Sequence, residues 1–124
     1  MFGYFASDTA GGVFAGGNIP FTLAGVRNRG VELVGMNNTE VEVEEKGIYR
    51  VVYSVTTALA SPGLLQLLRN GVAVAEPQIT IQAGVNLNEI FLRLDREDRI
   101  SLNLTGAVTL VSGKNASLVI QRIS

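Results

Sequence analysis

The run Gly47–Leu59, G-I-Y-R-V-V-Y-S-V-T-T-A-L, restricts the fold more than any other stretch of the chain. It opens on a turn glycine and is followed by Ser61-Pro62-Gly63. The β-branched Val51, Val52, Val55, Thr56 and Thr57, with the aromatic Tyr49 and Tyr53, favour a pleated and packed surface. Alternation divides the run into two faces. Odd positions give Tyr49, Val51, Tyr53 and Val55, and even positions give Ile48, Arg50, Val52, Ser54 and Thr56. A strand with one face in water alternates cleanly between apolar and polar. The even face here is semi-polar, small and poor in charge, which predicts a surface able to lie against a neighbouring subunit.

The other segments follow the same grammar. Met1–Ser7 reads as a first strand and Asp8–Asn18 as a glycine-rich connection. No helix follows that connection and no G-x-x-x-x-G-K-[ST] pattern is present, so a loop is expected there and not a phosphate cradle. Ile19–Leu23 is expected as a short strand, with Pro20 marking an edge or a strand start. Ala24–Gly30 is a loop carrying Arg27 and Arg29, and Val31–Val34 is another short strand. In Thr39–Glu45, Val41 and Val43 face one way while Glu40, Glu42 and Glu44 face the other. Carboxylates spaced roughly 7 Å apart along a straight strand do not converge on one ion, so a solvated acidic face is expected. Within Leu64–Glu76, Asn70-Gly71 between two apolar runs predicts a type I′ hairpin, a turn that needs φ > 0 at both central residues. Ile79–Gln82, Leu87–Leu94, Ile100–Thr105, Val108–Val111 and Ala116–Ile123 complete a set of about ten short strands, the spacing of a sandwich or jelly roll.

Composition narrows the function classes. At 124 residues the chain is expected to be a single domain spanning 1–124. Charged residues make up 17% of it, against roughly 25% in an average soluble domain. A surface so poor in charge predicts partial burial in an oligomer, the alternative being a monomer covered by Ser, Thr and Asn. The net charge of −1 points away from nucleic acid and anionic membranes. No run approaches the ~20 apolar residues of a membrane span, and Met1-Phe2-Gly3-Tyr4 does not read as a signal peptide. Cysteine and histidine are both absent, which excludes disulfides, thiolate nucleophiles, zinc sites of the usual ligands and histidine acid–base chemistry. Lys46 and Lys114 sit beside turn glycines, where solvated lysines are expected. Asp95, Glu97 and Asp98 form a cluster able either to hold a cation or simply to make a charged turn. No enzyme activity and no cofactor are expected.

Four motifs in order carry a resemblance. G-I-Y-R-V-V-Y-S-V (Gly47–Val55), L-L-R-N-G-V-A-V around Asn70-Gly71, D-R-E-D-R-I-S-L (Asp95–Leu102) and A-S-L-V-I-Q-R-I (Ala116–Ile123) are joined by an opening G-Y-F-A-S and G-G-N-I-P-F within Gly3–Phe21. The chain resembles the C-terminal globular domains of collagen-like exosporium glycoproteins of spore-forming bacteria, which resemble complement globular heads and tumour necrosis factor. The Gly-X-Y stalk of such proteins does not occur in this sequence. The resemblance implies a ten-stranded jelly roll assembling as a homotrimer, with Tyr53, Phe91 and Val55 at the trimer interface and Tyr49 in the core. It also implies a spore-surface or extracellular location and, from some relatives, a calcium site near the trimer apex. Two functions follow from it. One is a structural trimerisation and surface-assembly module. The other is a head that binds a glycan or protein receptor through Asp8–Asn18, Ala24–Gly30 and Ser112–Asn115, with Arg27, Arg29 and Lys114 as polar contacts.

Overall fold

In the computed structural model, which describes residues 2–9, 11–74 and 79–124, Gly47–Thr57 is one continuous strand. From Tyr49 onward its odd residues are buried and its even residues are partly exposed. The strands in chain order are β1 Phe2–Thr9, β2 Gly12–Phe14, β3 Gly17–Asn18, β4 Leu23–Ala24, β5 Val31–Val34, β6 Glu40–Val43 and β7 Gly47–Thr57. They continue as β8 Leu64–Arg69, β9 Val72–Ala73, β10 Ile79–Thr80, β11 Gly84–Leu94, β12 Arg99–Leu104, β13 Val108–Leu110 and β14 Gly113–Arg122. A single 3-10 turn at Met36–Asn38 is the helical content among the described residues.

Two antiparallel sheets face each other. The first runs β2-β13-β7-β14-β1-β4, with β11 also paired to β7. The second runs β10-β8-β12-β6-β5, with β3 on β12 and β9 on β8. Strands from opposite ends of the sequence lie side by side, as in β1 against β14 from Phe2↔Gln121 to Thr9↔Gly113. The fold is therefore the expected all-β jelly roll.

The core lies between the sheets. Phe5, Tyr49, Val51, Tyr53, Val55, Leu118 and Ile120 enter from the first sheet, and Val41, Val43, Leu65, Leu67, Ile100, Leu102 and Leu104 from the second. Burying each large aliphatic side chain contributes about 1.5–3 kcal/mol relative to exposure. Gly3 marks a close approach of the two sheets, since a Cβ there would collide with Val31 Cγ2 on β5.

Three local outcomes differ from the sequence reading. Ile19–Leu23 is not a continuous strand: Pro20 has no N–H to donate, and ladder pairing is confined to Gly17–Asn18 and Leu23–Ala24 on either side. Ile19 and Phe21 still bury their side chains, and their amides donate to Leu102 O (2.8 Å) and Asn38 O (3.0 Å). The expected loop Asp8–Asn18 contains β2, which pairs with β13. The second arm of the hairpin forms a strand only at Val72–Ala73, and Ala75 and Glu76 lie outside the described residues. The turn itself has the expected signature, with φ of 51° at Asn70 and 84° at Gly71.

A corner below this hairpin is tied by side chains. Asn70 Nδ2 donates to Asp98 Oδ1 (2.9 Å), and Arg99 N donates to Asn70 Oδ1 (2.9 Å). Asp98 also accepts from Asp95 N (2.7 Å) and Arg69 Nε (2.8 Å). Burial pushes the Asp98 carboxyl up, but these hydrogen bonds together outweigh it and hold its pKa below the ordinary carboxylate value.

Candidate assembly face

The outward face of the first sheet is built by register. Pairing of β11, β7, β14 and β1 places side chains in rows that cross the sheet. One row is Glu89, Val52, Val119 and Tyr4; the next is Leu87, Ser54, Ser117 and Ala6. On the other side of the first row come Phe91, Arg50, Gln121 and Phe2, and Arg93 lies opposite Ile48. Val85 stands opposite Thr56 at the far end. Several of these are large apolar side chains left in solvent: Val85 is 66% exposed, Leu87 61% and Phe91 56%, with Phe2 and Ile48 also exposed. Ser54 and Ser117 share a hydroxyl–hydroxyl hydrogen bond of 2.8 Å, so this row presents methylenes and one satisfied polar pair. The face combines a band of apolar surface, of the kind an interface core needs, with the charged Arg50, Glu89 and Arg93.

Register also corrects the expected contact residues. Tyr53 and Val55 were expected at the trimer interface, but they are 1% and 0% exposed within the single chain and fill the space between the sheets. The Tyr53 hydroxyl accepts a hydrogen bond from Asn88 Nδ2 (2.9 Å). Phe91 stands opposite Arg50, an even residue of β7, and so lies on the face away from Tyr53. The two aromatics expected to meet at one contact are on opposite sides of the same sheet. The side chains that share the outward face with Phe91 include Val52, Leu87 and Val119. Their signal was present in the even positions of Gly47–Thr57, whose outward face they share.

The expected recognition loops do not come together. Phe2 and Arg29 exchange backbone hydrogen bonds of 3.1 and 2.8 Å, and Gly30 O accepts from Glu44 N (2.9 Å), so Arg27 and Arg29 sit at the end where β1 begins. Lys114 pairs with Asp8 near the other end of β1, roughly 20 Å away at the rise of a strand. Asp8–Asn18 and Ser112–Asn115 share that second end. Within a single chain, Ala24–Gly30 therefore lies at the opposite end of β1 from the other two loops. The Ala24–Gly30 loop is firmly held, however. Asn28 accepts from Tyr4 N (2.8 Å) and donates to Tyr4 O (3.1 Å), while Val26 at the tip is fully exposed.

The acidic clusters are occupied by protein partners. Arg99 on β12 reaches Glu42 (3.1 Å) and Glu40 (3.5 Å) across the second sheet. Asp98 is held at the hairpin corner, Asp95 pairs with Arg69 (3.3 Å) and Glu97 with Arg96 (4.0 Å). A cleft of about 910 Å³ lies between the Glu44–Lys46 and Asp95–Glu97 turns. It has Lys46 and Arg122 in its lining, the latter paired with Glu45 (3.5 Å). Among the described residues, no group of three or more acidic side chains is arranged to hold a metal ion. Among the described residues, no helix is long and apolar enough to cross a membrane.

This framework can be set beside known proteins. The fold is similar to that of Eiger TNF from S. frugiperda, with a TM-score of 0.77 and 14% identity over 100% of this chain and 92% of that one. It is also similar to murine APRIL, with a TM-score of 0.68 and 16% identity over 99% and 100% of the two chains. Rabbit GITRL gives a TM-score of 0.67 and 15% identity over 99% and 93%. At these identities the likeness is one of fold, a tumour necrosis factor-like jelly roll. No curated protein matches the chain by sequence. The family model of the BclA C-terminal domain matches residues 4–124, nearly the whole sequence, and the chain belongs to that family.

Proposed function

We propose that this protein is a non-enzymatic trimerisation and surface-assembly module of a bacterial spore (exosporium) or cell-surface layer, with residues 1–124 acting as one unit. The observation that carries the reading is the outward face of the first sheet, where Val52, Val119, Leu87, Val85 and Phe91 form an apolar band, crossed by the Arg50–Glu89 pair and with Arg93 beyond Phe91, on a chain with few charges to spare. A second copy of the chain is the occupant that fits it: the resemblance is to heads that assemble about a threefold axis, and membership of the BclA C-terminal family supports that choice. Phe91 remains a contact residue in this reading, and Val52, Leu87 and Val119 take the places first given to Tyr53 and Val55. An assembly of this kind buries on the order of 2,000 Å² or more, so folding and association would be coupled.

Native mass tests the reading. Light scattering after size exclusion is expected to give three times the 13.2 kDa subunit. A mass of one subunit at micromolar concentration would contradict it. The alternative, a receptor- or glycan-binding trimeric head, is favoured by one feature: the rigid Ala24–Gly30 loop that presents Val26 between Gly25 and Arg27. Loss of binding on a glycan or protein array after Arg27→Glu would support that reading, and an array with no binding to the wild type would contradict it.

A further inference from the structure

The apolar band contains one fixed pair of opposite charges. Arg50 on the inner strand β7 and Glu89 on the edge strand β11 form an ion pair with Nε–Oε2 at 2.5 Å. They are not direct cross-strand neighbours. Arg50 stands opposite Phe91 and Glu89 opposite Val52, so the pair runs diagonally through the centre of the rows. Both side chains are about two-fifths exposed in the single chain, and their neighbours on this face are Val52, Leu87 and Phe91, with Gln121 beside Arg50 and Arg93 beyond Phe91. On an isolated subunit such a pair is solvent-screened and nearly neutral for stability.

We infer that the Arg50–Glu89 pair is a specificity element of the self-association face, an inference that rests on the assembly reading above. Covering the face with a second copy removes water from both charges. The guanidinium and carboxylate then compensate each other only while both are present. The partner copy must meet a neutral diagonal and cannot place a charge over it, which excludes registers that an unbroken apolar band would accept. The pair therefore admits one docking register and penalises others, at little cost to the free subunit. Leu87 and Phe91 flank Glu89 on the same face of β11 and supply the apolar contact area around it.

The test uses the wild type, Glu89→Gln, Arg50→Gln, and the exchanged double variant Arg50→Glu with Glu89→Arg. Mass by light scattering is followed over a dilution series, with circular dichroism at each concentration to show that the strands persist. Each single variant is expected to dissociate at a concentration about tenfold or more above that of the wild type, because one charge is left uncompensated on burial. The exchanged double variant is expected to return to within about threefold of the wild type, since it restores a neutral diagonal. Two outcomes overturn the inference while leaving the assembly reading standing: a wild-type trimer whose single variants dissociate no earlier, or an exchanged double variant no better than the singles. A monomeric wild type would overturn the assembly reading itself.

Discussion

The two sheets share a core but turn unlike faces to the outside. On the first sheet the outward rows are Val52, Val119, Leu87, Phe91 and Ser54 with Ser117, interrupted by the Arg50–Glu89 pair. On the second, Glu40 and Glu42 meet Arg99, and an amide ladder runs from Gln66 Nε2 to Asn103 Oδ1 (3.0 Å) and from Asn103 Nδ2 to Asn18 Oδ1 (2.9 Å). Glu32 and Glu42 are direct cross-strand neighbours, a like-charge pairing that Arg99 relieves. The second face satisfies its polar groups within the chain and tolerates water. The first leaves its apolar groups unsatisfied unless something covers them. The same alternation of strands thus gives one finished surface and one unfinished one.

Five substitutions break or sharpen this contrast. The largest effect belongs to the core that both sheets share. Tyr53→Ala removes a fully buried aromatic and is expected to cost about 3–5 kcal/mol, seen as a lower denaturant midpoint. If thermal and chemical stability were unchanged and only the mass fell, Tyr53 would be a contact residue after all. Next is Phe91→Asp on the first face, expected to weaken association by about 2 kcal/mol or more, roughly thirtyfold in dissociation constant. The matched change Gln66→Asp on the second face is expected to leave the native mass unaltered, and equal effects of the two would erase the distinction between the faces.

Asp98→Asn acts at the corner that holds the second sheet's hairpin, and is expected to cost about 1–3 kcal/mol in denaturant unfolding. The carboxyl's pKa is lowered in the folded state below its ordinary value. Its contribution is therefore present above that ordinary value and lost as pH falls through the folded one. Wild type and variant should converge in stability in acid, and a constant gap down to low pH would show that the charge is not what stabilises the corner. The smallest effect is at Glu97, whose φ of 68° lies in the left-handed region. Glu97→Gly should stabilise the turn by a few tenths to about 1 kcal/mol by relieving that strain, seen as a raised denaturant midpoint, and a lowered midpoint would show that the Arg96 contact and chain entropy outweigh the strain.

Much of this fold was readable locally. The parity of Gly47–Thr57, the alternation of Val41 and Val43 with their glutamates, and the Asn70-Gly71 turn depend on neighbours in sequence, and each appears as expected. What was illegible depends on pairing between distant strands. No feature of Leu87–Leu94 reveals that Phe91 stands opposite Arg50 and not opposite Tyr53; a shift of one residue exchanges the faces. The aromatic carried over by resemblance was therefore placed on the wrong side, while the even-face alternation pointed to the outward one. Gly12–Phe14 is a strand only because Val108–Leu110 lies beside it. Arg99 as the counter-charge to Glu40 and Glu42 lies more than fifty residues away in sequence. Arg29 and Lys114 fall at opposite ends because β1 runs between them.

The central claim is that the first sheet's outward face is covered in the native protein and the second's is not. The absence of cysteine makes it directly testable with one introduced thiol at a time. Leu87→Cys and Glu32→Cys place a thiol on the first and second faces, both at positions exposed in the single chain. Their labelling rates are compared in the assembled protein and after dilution below the dissociation concentration. The account predicts labelling at 87 about tenfold or more slower than at 32 in the assembly, because an interface core excludes water and reagent, with the two rates converging on dilution. Equal rates at both positions in a protein of trimeric mass would contradict it.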